Sequence, residues 1–114
     1  MIITTTNKIE GREIAEYLGI VTSEVVNGVN MIKDIGTSFR NLVGGRTSAL
    51  EDEILKAKDT CIRELEERAF NMDADAVIGL KLDIEPLMSG GMILIHAVGT
   101  AVRFRWGDLN VTGK

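Results

Sequence analysis

An α+β fold, with an antiparallel sheet packed on one long helix in a single domain, is the fold class this 114-residue sequence predicts. Three stretches predict it. The first is a helix, opened by Ser48 with Glu51 three residues later, so that hydroxyl and carboxylate can each satisfy a free backbone amide. Leu50, Ile54, Ala57, Cys61, Leu65, Ala69 and Met72 follow at steps of three and four, with Leu55 and Ile62 widening the stripe. The second is a strand in which Ala76, Ile78, Leu80, Leu82 and Ile84 alternate with Val77, Gly79, Lys81, Asp83 and Glu85, giving one dry face. The third is the returning strand over 92–105. It carries Met92, Leu94, His96, Val98, Val102 and Phe104 on one face and Ile93, Ile95, Ala97, Gly99 and Ala101 on the other. A strand apolar on both sides is either central in a sheet or sits at a subunit contact.

The remaining elements are shorter. Residues 2–6 are β-branched and read as a brief strand. Residues 10–17 have room for two helical turns with Ile14 and Leu18 on one side, and Gly19 suits a C-terminal cap. Residues 20–30 are rich in valine and strand-like, with Gly28 as a possible bulge. Ile35, Phe39, Leu42 and Val43 have the spacing of a short helix over 35–43, ended by Gly44-Gly45. Acid–base pairs four residues apart, Asp52/Lys56, Asp59/Arg63 and Glu64/Arg68, line the wet side of the long helix. Its exit falls at Asp73, and Pro86 marks the end of the strand that follows. Ser89-Gly90-Gly91 then supplies the turn to the last strand. The domain spans 1–106, and 107–114 carries little to bury and reads as a frayed tail.

Composition narrows the function classes. A net charge of −4 and scattered basic residues argue against a nucleic-acid partner, whose phosphates need a clustered positive surface. No apolar run approaches the roughly 20 residues that span a bilayer, so no membrane partner is expected. A single cysteine permits no internal disulfide and points to the reducing cytoplasm. A hydrophobic share of 45% is high for so short a chain and points to apolar surface covered by further copies of it.

Several stretches occur together in a specific order: Glu16-Tyr17-Leu18-Gly19-Ile20-Val21 with Glu24-Val25-Val26, Gly44-Gly45-Arg46 with Glu51, Ala74-Asp75-Ala76-Val77-Ile78-Gly79, and Gly99-Thr100-Ala101-Val102. In this order they resemble the YbjQ-like family, small uncharacterised bacterial proteins that carry a heavy-metal-binding label. The resemblance implies a sheet wrapped on the long helix and a ring-shaped homo-oligomer, a pentamer, with a metal ion as the cofactor suggested. It implies no established reaction. Two positions depart from the family pattern: Asp73 stands where the family usually has the glycine that leaves the helix in a left-handed conformation, and Leu50 where it tends to have an aromatic residue.

Residues with chemistry are few. Zinc and softer metals want thiolates and imidazoles in groups, and the chain has only Cys61 and His96. Cys61 falls mid-stripe, where cysteine is most often a small buried hydrophobe. His96, the metal candidate, lies among apolar residues, as a core or interface histidine also would; ring symmetry is what could gather copies of it. Gly44, Gly45, Arg46, Thr47 and Ser48 at a helix start are the candidates for a small anionic ligand, because free amides, the helix dipole and a guanidinium converge there. The plainer reading is a cap after a Gly-Gly turn. Lys58 falls inside the stripe, as a general base would or as a stem packed on the core with its ammonium in water. Asp73, Asp75, Asp83 and Glu85 read as solvated acids, and no catalytic residue set stands out. Phe70 lies on the polar side of the helix and is a candidate subunit contact. The expected function is an oligomeric small-ligand or metal-ion binding protein with sites at subunit interfaces. The alternatives are a structural homo-oligomer without a ligand, or an enzyme using Lys58 or His96.

Overall fold

In the computed structural model the described residues are 1–27, 48–87 and 92–106. They form β1 (Ile2–Ile3), β2 (Ile14–Asn27), the helix α1 (Ser48–Asn71), β3 (Ala76–Leu87) and β4 (Met92–Phe104). One four-stranded sheet has the order β1-β3-β4-β2. β4 is antiparallel to both neighbours, whereas β1 runs parallel to β3 with Ile2 opposite Ala76, so the sheet is mixed. The strand predicted to be apolar on both sides is thus interior to the sheet.

α1 begins where the cap pattern places it. Ala57, Cys61, Leu65 and Ala69 are buried against Val21, Val77, Ile95, Ala97 and Ala101, with Met72 partly buried beside them. Most of these side chains are small, so helix and sheet approach closely. Leu55 does not belong to the stripe and is 53% exposed. The wet side also pairs differently from the i,i+4 pattern. Lys56 reaches Glu53 at 3.7 Å, and the Arg68 guanidinium donates to the Thr22 carbonyl at 2.8 Å, tying the helix to β2.

The helix exit follows the residue pattern. Asp73 has φ 67°, and the amides of Asp73 and Ala74 donate to the carbonyls of Phe70 and Ala69 at 2.9 and 3.1 Å. This is the Schellman arrangement, with buried Ala74 and Ala69 supplying its apolar contact.

Two expectations are corrected. Residues 10–17 are not helical: β2 is a strand from Ile14 onward. Register shifts at Ile14/Glu16 and Tyr17/Gly19 each insert a residue, which disturbs the alternation that marks a strand. Ile14 and Leu18, four apart, imitate a helix face, yet they pack on opposite sides of the sheet. Gly19 takes φ 131° at the second shift and caps nothing. The second correction concerns β3. Ile78 lies opposite Thr100 and Lys81 opposite Val98, so Gly79 and Leu80 together face Gly99. Gly79, at φ 64°, makes a bulge that changes the phase of the strand. Before it Val77 faces the helix, and after it Leu80 and Leu82 do. Ala76 and Ile78 instead join Val102 and Phe104 in a second core on the far side, closed by Ile9 and Ile14. Strand residues 28–30, the helix over 35–43, the turn at 89–91 and the tail at 107–114 lie outside the described residues.

Candidate functional site

The far face of the sheet is divided. At the end near β1, residues 9–14 lie over the second core. The Arg12 guanidinium sits 5.3 Å from the Phe104 ring centroid and 5.8 Å from that of Trp106, and the two rings meet edge to face. Asp75 Oδ2 accepts from the Phe104 amide and from Trp106 Nε1–H, both at 2.8 Å. Asp75, read as solvated acid, therefore fastens the end of β4. Nothing in the local sequence marks this, since its partners are 29 and 31 residues away.

At the other end no described residue lies over the face. His96 sits there, half-buried in mid-β4, because Ile95 and Ala97 on either side point into the helix core. The pairing places Glu24 of β2 directly opposite His96 on one side and Asp83 of β3 directly opposite on the other. Directly opposed residues share a face, with Cβ atoms about 4.5–5.5 Å apart. A row Glu24–His96–Asp83 thus crosses three strands, with Lys81 and Glu85 flanking Asp83 on the same face. Sequence reasoning found His96 but not this row, because neither carboxylate is near it in the chain.

Cys61 is spoken for. Ser23 Oγ donates to the Cys61 carbonyl at 2.6 Å and lies 3.2 Å from its sulfur. The thiol in turn contacts the Ser23 and Ile95 carbonyls at 3.6 Å, and both side chains are fully buried. Their role is to satisfy two buried polar groups at the helix–sheet contact. Among the described residues no group of three or more His, Cys, Asp or Glu is placed to hold a metal ion. The described residues of one chain do not fit a heavy-metal centre.

A groove of about 710 Å³ runs along the outer side of α1, lined by Met1, Thr60, Arg63, Glu64, Glu66, Glu67 and Phe70. The amino group of Met1 lies 3.5 Å from Glu66 in it, and Phe70 is 69% exposed. Neither Lys58, which is half-buried, nor His96 lines this groove. Of the anion-site candidates, Ser48 starts α1, while Gly44, Gly45, Arg46 and Thr47 lie outside the described residues. Among the described residues no helix is long and apolar enough to cross a membrane.

Fold and site together define a small α+β protein in which the helix packs on one sheet face and the other is partly open among the described residues. Comparison with known proteins makes this specific. The family profile described as "putative heavy-metal-binding" (YbjQ) matches residues 1–105. A UPF0145 protein of Corynebacterium jeikeium is 51% identical over 105 residues, covering 92% of this chain and all of the relative. One from Listeria monocytogenes is 50% identical over 103 residues, covering 90% and 94%. Among solved structures, a protein of unknown function from Pediococcus pentosaceus, of the DUF74 family, superposes with a TM-score of 0.58 at 21% identity. That match covers 91% of this chain and 97% of the other, and it supports the fold. The chain belongs to the YbjQ (UPF0145) family.

Proposed function

We propose that this protein is a cytoplasmic homo-oligomer, a pentameric ring, that binds a small ligand or metal ion at sites between its subunits. The observation that supports this most is the apolar surface one chain leaves exposed on two separate elements. Tyr17 and Ile20 of β2 are 68% and 74% exposed, and Phe70 of α1 is 69% exposed beside its groove. Single exposed hydrophobics are ordinary, but two groups on different sides of so small a chain suit a head-to-tail contact that closes into a ring. The family description points the same way for the ligand class, and the described residues of one chain hold no ligand set of their own, which suits a metal at a contact between chains.

Native mass spectrometry on untagged protein tests the proposal in one experiment. The expected result is a pentamer whose mass exceeds that of five chains by a bound ligand. A monomer overturns the assembly, and a pentamer of bare chain mass overturns the binding. Phe70→Asp, which places a charge on the exposed ring, is expected to shift the wild-type oligomer toward smaller species. An unchanged mass removes Phe70 from the contact.

A further inference from the structure

Beyond the ring proposal, we infer that Arg68 is an edge guard. Its guanidinium closes the flat stretch of exposed strand edge on β2, so that a further strand does not add there and copies meet through side chains. β2 is the outermost strand of the described sheet. Such a strand presents a row of backbone amides and carbonyls with no ladder partner, on which another chain can build.

The residues in that row follow from β4. The Val102 carbonyl accepts from the Asp75 amide, and the Phe104 amide donates to the Asp75 carboxylate, both at 2.8 Å. Both residues thus turn their backbone groups to the β3 side. Alternate residues of an antiparallel strand turn the same way, so Thr100, Val98, His96 and Leu94 face β3 too. Their partners on β2 are Ile20, Thr22, Glu24 and Val26, which therefore turn their amides and carbonyls outward. The Thr22 carbonyl bears this out, since it accepts from Arg68 Nη1 at 2.8 Å.

Other devices protect the rest of the exposed edge. The start of β2 carries two register shifts, and bulges twist an edge away from a straight partner. On the opposite side of the sheet, the Thr6 and Thr4 carbonyls take the amides of Gly79 and Leu80 at 2.8 and 3.0 Å. Further along β3, Pro86 lies opposite Ile93, whose groups face β2, so its ring stands where an outward amide would be. Residues 20–26 of β2 have neither bulge nor proline, and Ile20 and Val26 are 74% and 48% exposed. That is the stretch on which Arg68 lands. A strand adding there would have to displace a charge-assisted hydrogen bond and leave a guanidinium against its own backbone.

The test compares wild type, Arg68→Ala and Arg68→Ala/Thr22→Pro over a concentration series. Sedimentation and thioflavin T fluorescence follow assembly, and amide hydrogen exchange locates it. The Thr22 amide points outward, so proline there blocks an added strand without removing a bond to β4. Arg68→Ala is expected to form thioflavin-positive assemblies heavier than the wild-type species. They should appear at a concentration lower by roughly tenfold or more, the weight of one hydrogen bond to a charged group. The amides of Thr22, Glu24 and Val26 should exchange fast in wild type and slowly in those assemblies, while those of Val21, Ser23 and Val25 stay slow in both. The double variant should return to the wild-type mass. If proline unfolds β2, the exchange pattern of Arg68→Ala decides alone. Arg68→Ala that keeps the wild-type mass overturns the inference, and so does a folded double variant that assembles as Arg68→Ala does. Slow exchange of the outward amides in wild type also overturns it, by showing a strand already in place, and leaves the ring standing. The wild-type mass, which decides the ring proposal, decides nothing here, so the two fail separately.

Discussion

The two ends of the far sheet face share one strand and nearly one pattern, yet they have opposite fates. Val102 and Phe104 lie on the same face of β4 as Leu94, His96 and Val98. The first two are 0% and 5% exposed, whereas the other three stay half-open. Strand pattern does not separate them. What separates them is that residues 9–14 and the Arg12–Trp106–Asp75 clasp close one end, and no described residue closes the other. A face that the chain covers itself supplies stability, and one left open is available for contact. Substitutions at the two ends should therefore act on different observables.

The largest effect is expected at the closed end. Phe104→Ala removes a buried ring from the second core and the partner of both Arg12 and Trp106. It should cost about 3–5 kcal/mol in urea unfolding, as buried aromatic truncations do. The matching substitution at the open side, Ile20→Ala, should change chain stability by no more than about 0.5 kcal/mol. Equal losses at the two sites would erase the distinction between the closed and open parts of the face.

The boundary between the ends is Gly99, and its expected effect is intermediate. A Cβ added there would stand 2.5 Å from Cγ1 of Val77 and 3.3 Å from the Ile78 carbonyl. Val77 is fully buried against the helix, and the Gly79 bulge holds the backbone opposite, so neither can move aside freely. Gly99→Ala should destabilise by about 1–3 kcal/mol, in the range of core overpacking. A neutral result would mean that β3 slides past β4 at the bulge, and that the phase change there is soft.

How far the sequence reached follows the same division. The helix stripe, its cap and its exit were legible because the signals lie within four residues of each other and the helix period is unbroken from Ala57 to Ala69. The faces of β4 were legible because its alternation has no bulge. β2 was misread at its start because two register shifts break its alternation, and what remained of the apolar spacing matched a helix. The dry face of β3 was misassigned beyond Gly79, since a glycine in a strand signals a bulge without saying which residues change sides. The site was legible only as a residue, His96. Its neighbours Glu24 and Asp83 become neighbours through strand order, which no local pattern states.

A small gain, rather than a loss, should come from Asp73, and it serves as a control that touches neither end of the far face. At φ 67° an aspartate pays a steric cost that glycine avoids, and its carboxyl is exposed at the helix exit. The two hydrogen bonds of the exit involve only backbone atoms, so glycine keeps both. Against this, glycine gives the unfolded chain more freedom, which offsets part of the gain. Asp73→Gly should therefore raise stability by about 0.5–1 kcal/mol, seen as a higher urea midpoint with an unchanged slope. Oligomer mass should stay as in the wild type, since stability held at the helix exit is separate from contacts made on the uncovered face. A shift in oligomer mass would show that the helix exit and the uncovered face are coupled through β3, which begins three residues after Asp73 at Ala76 and carries Asp83.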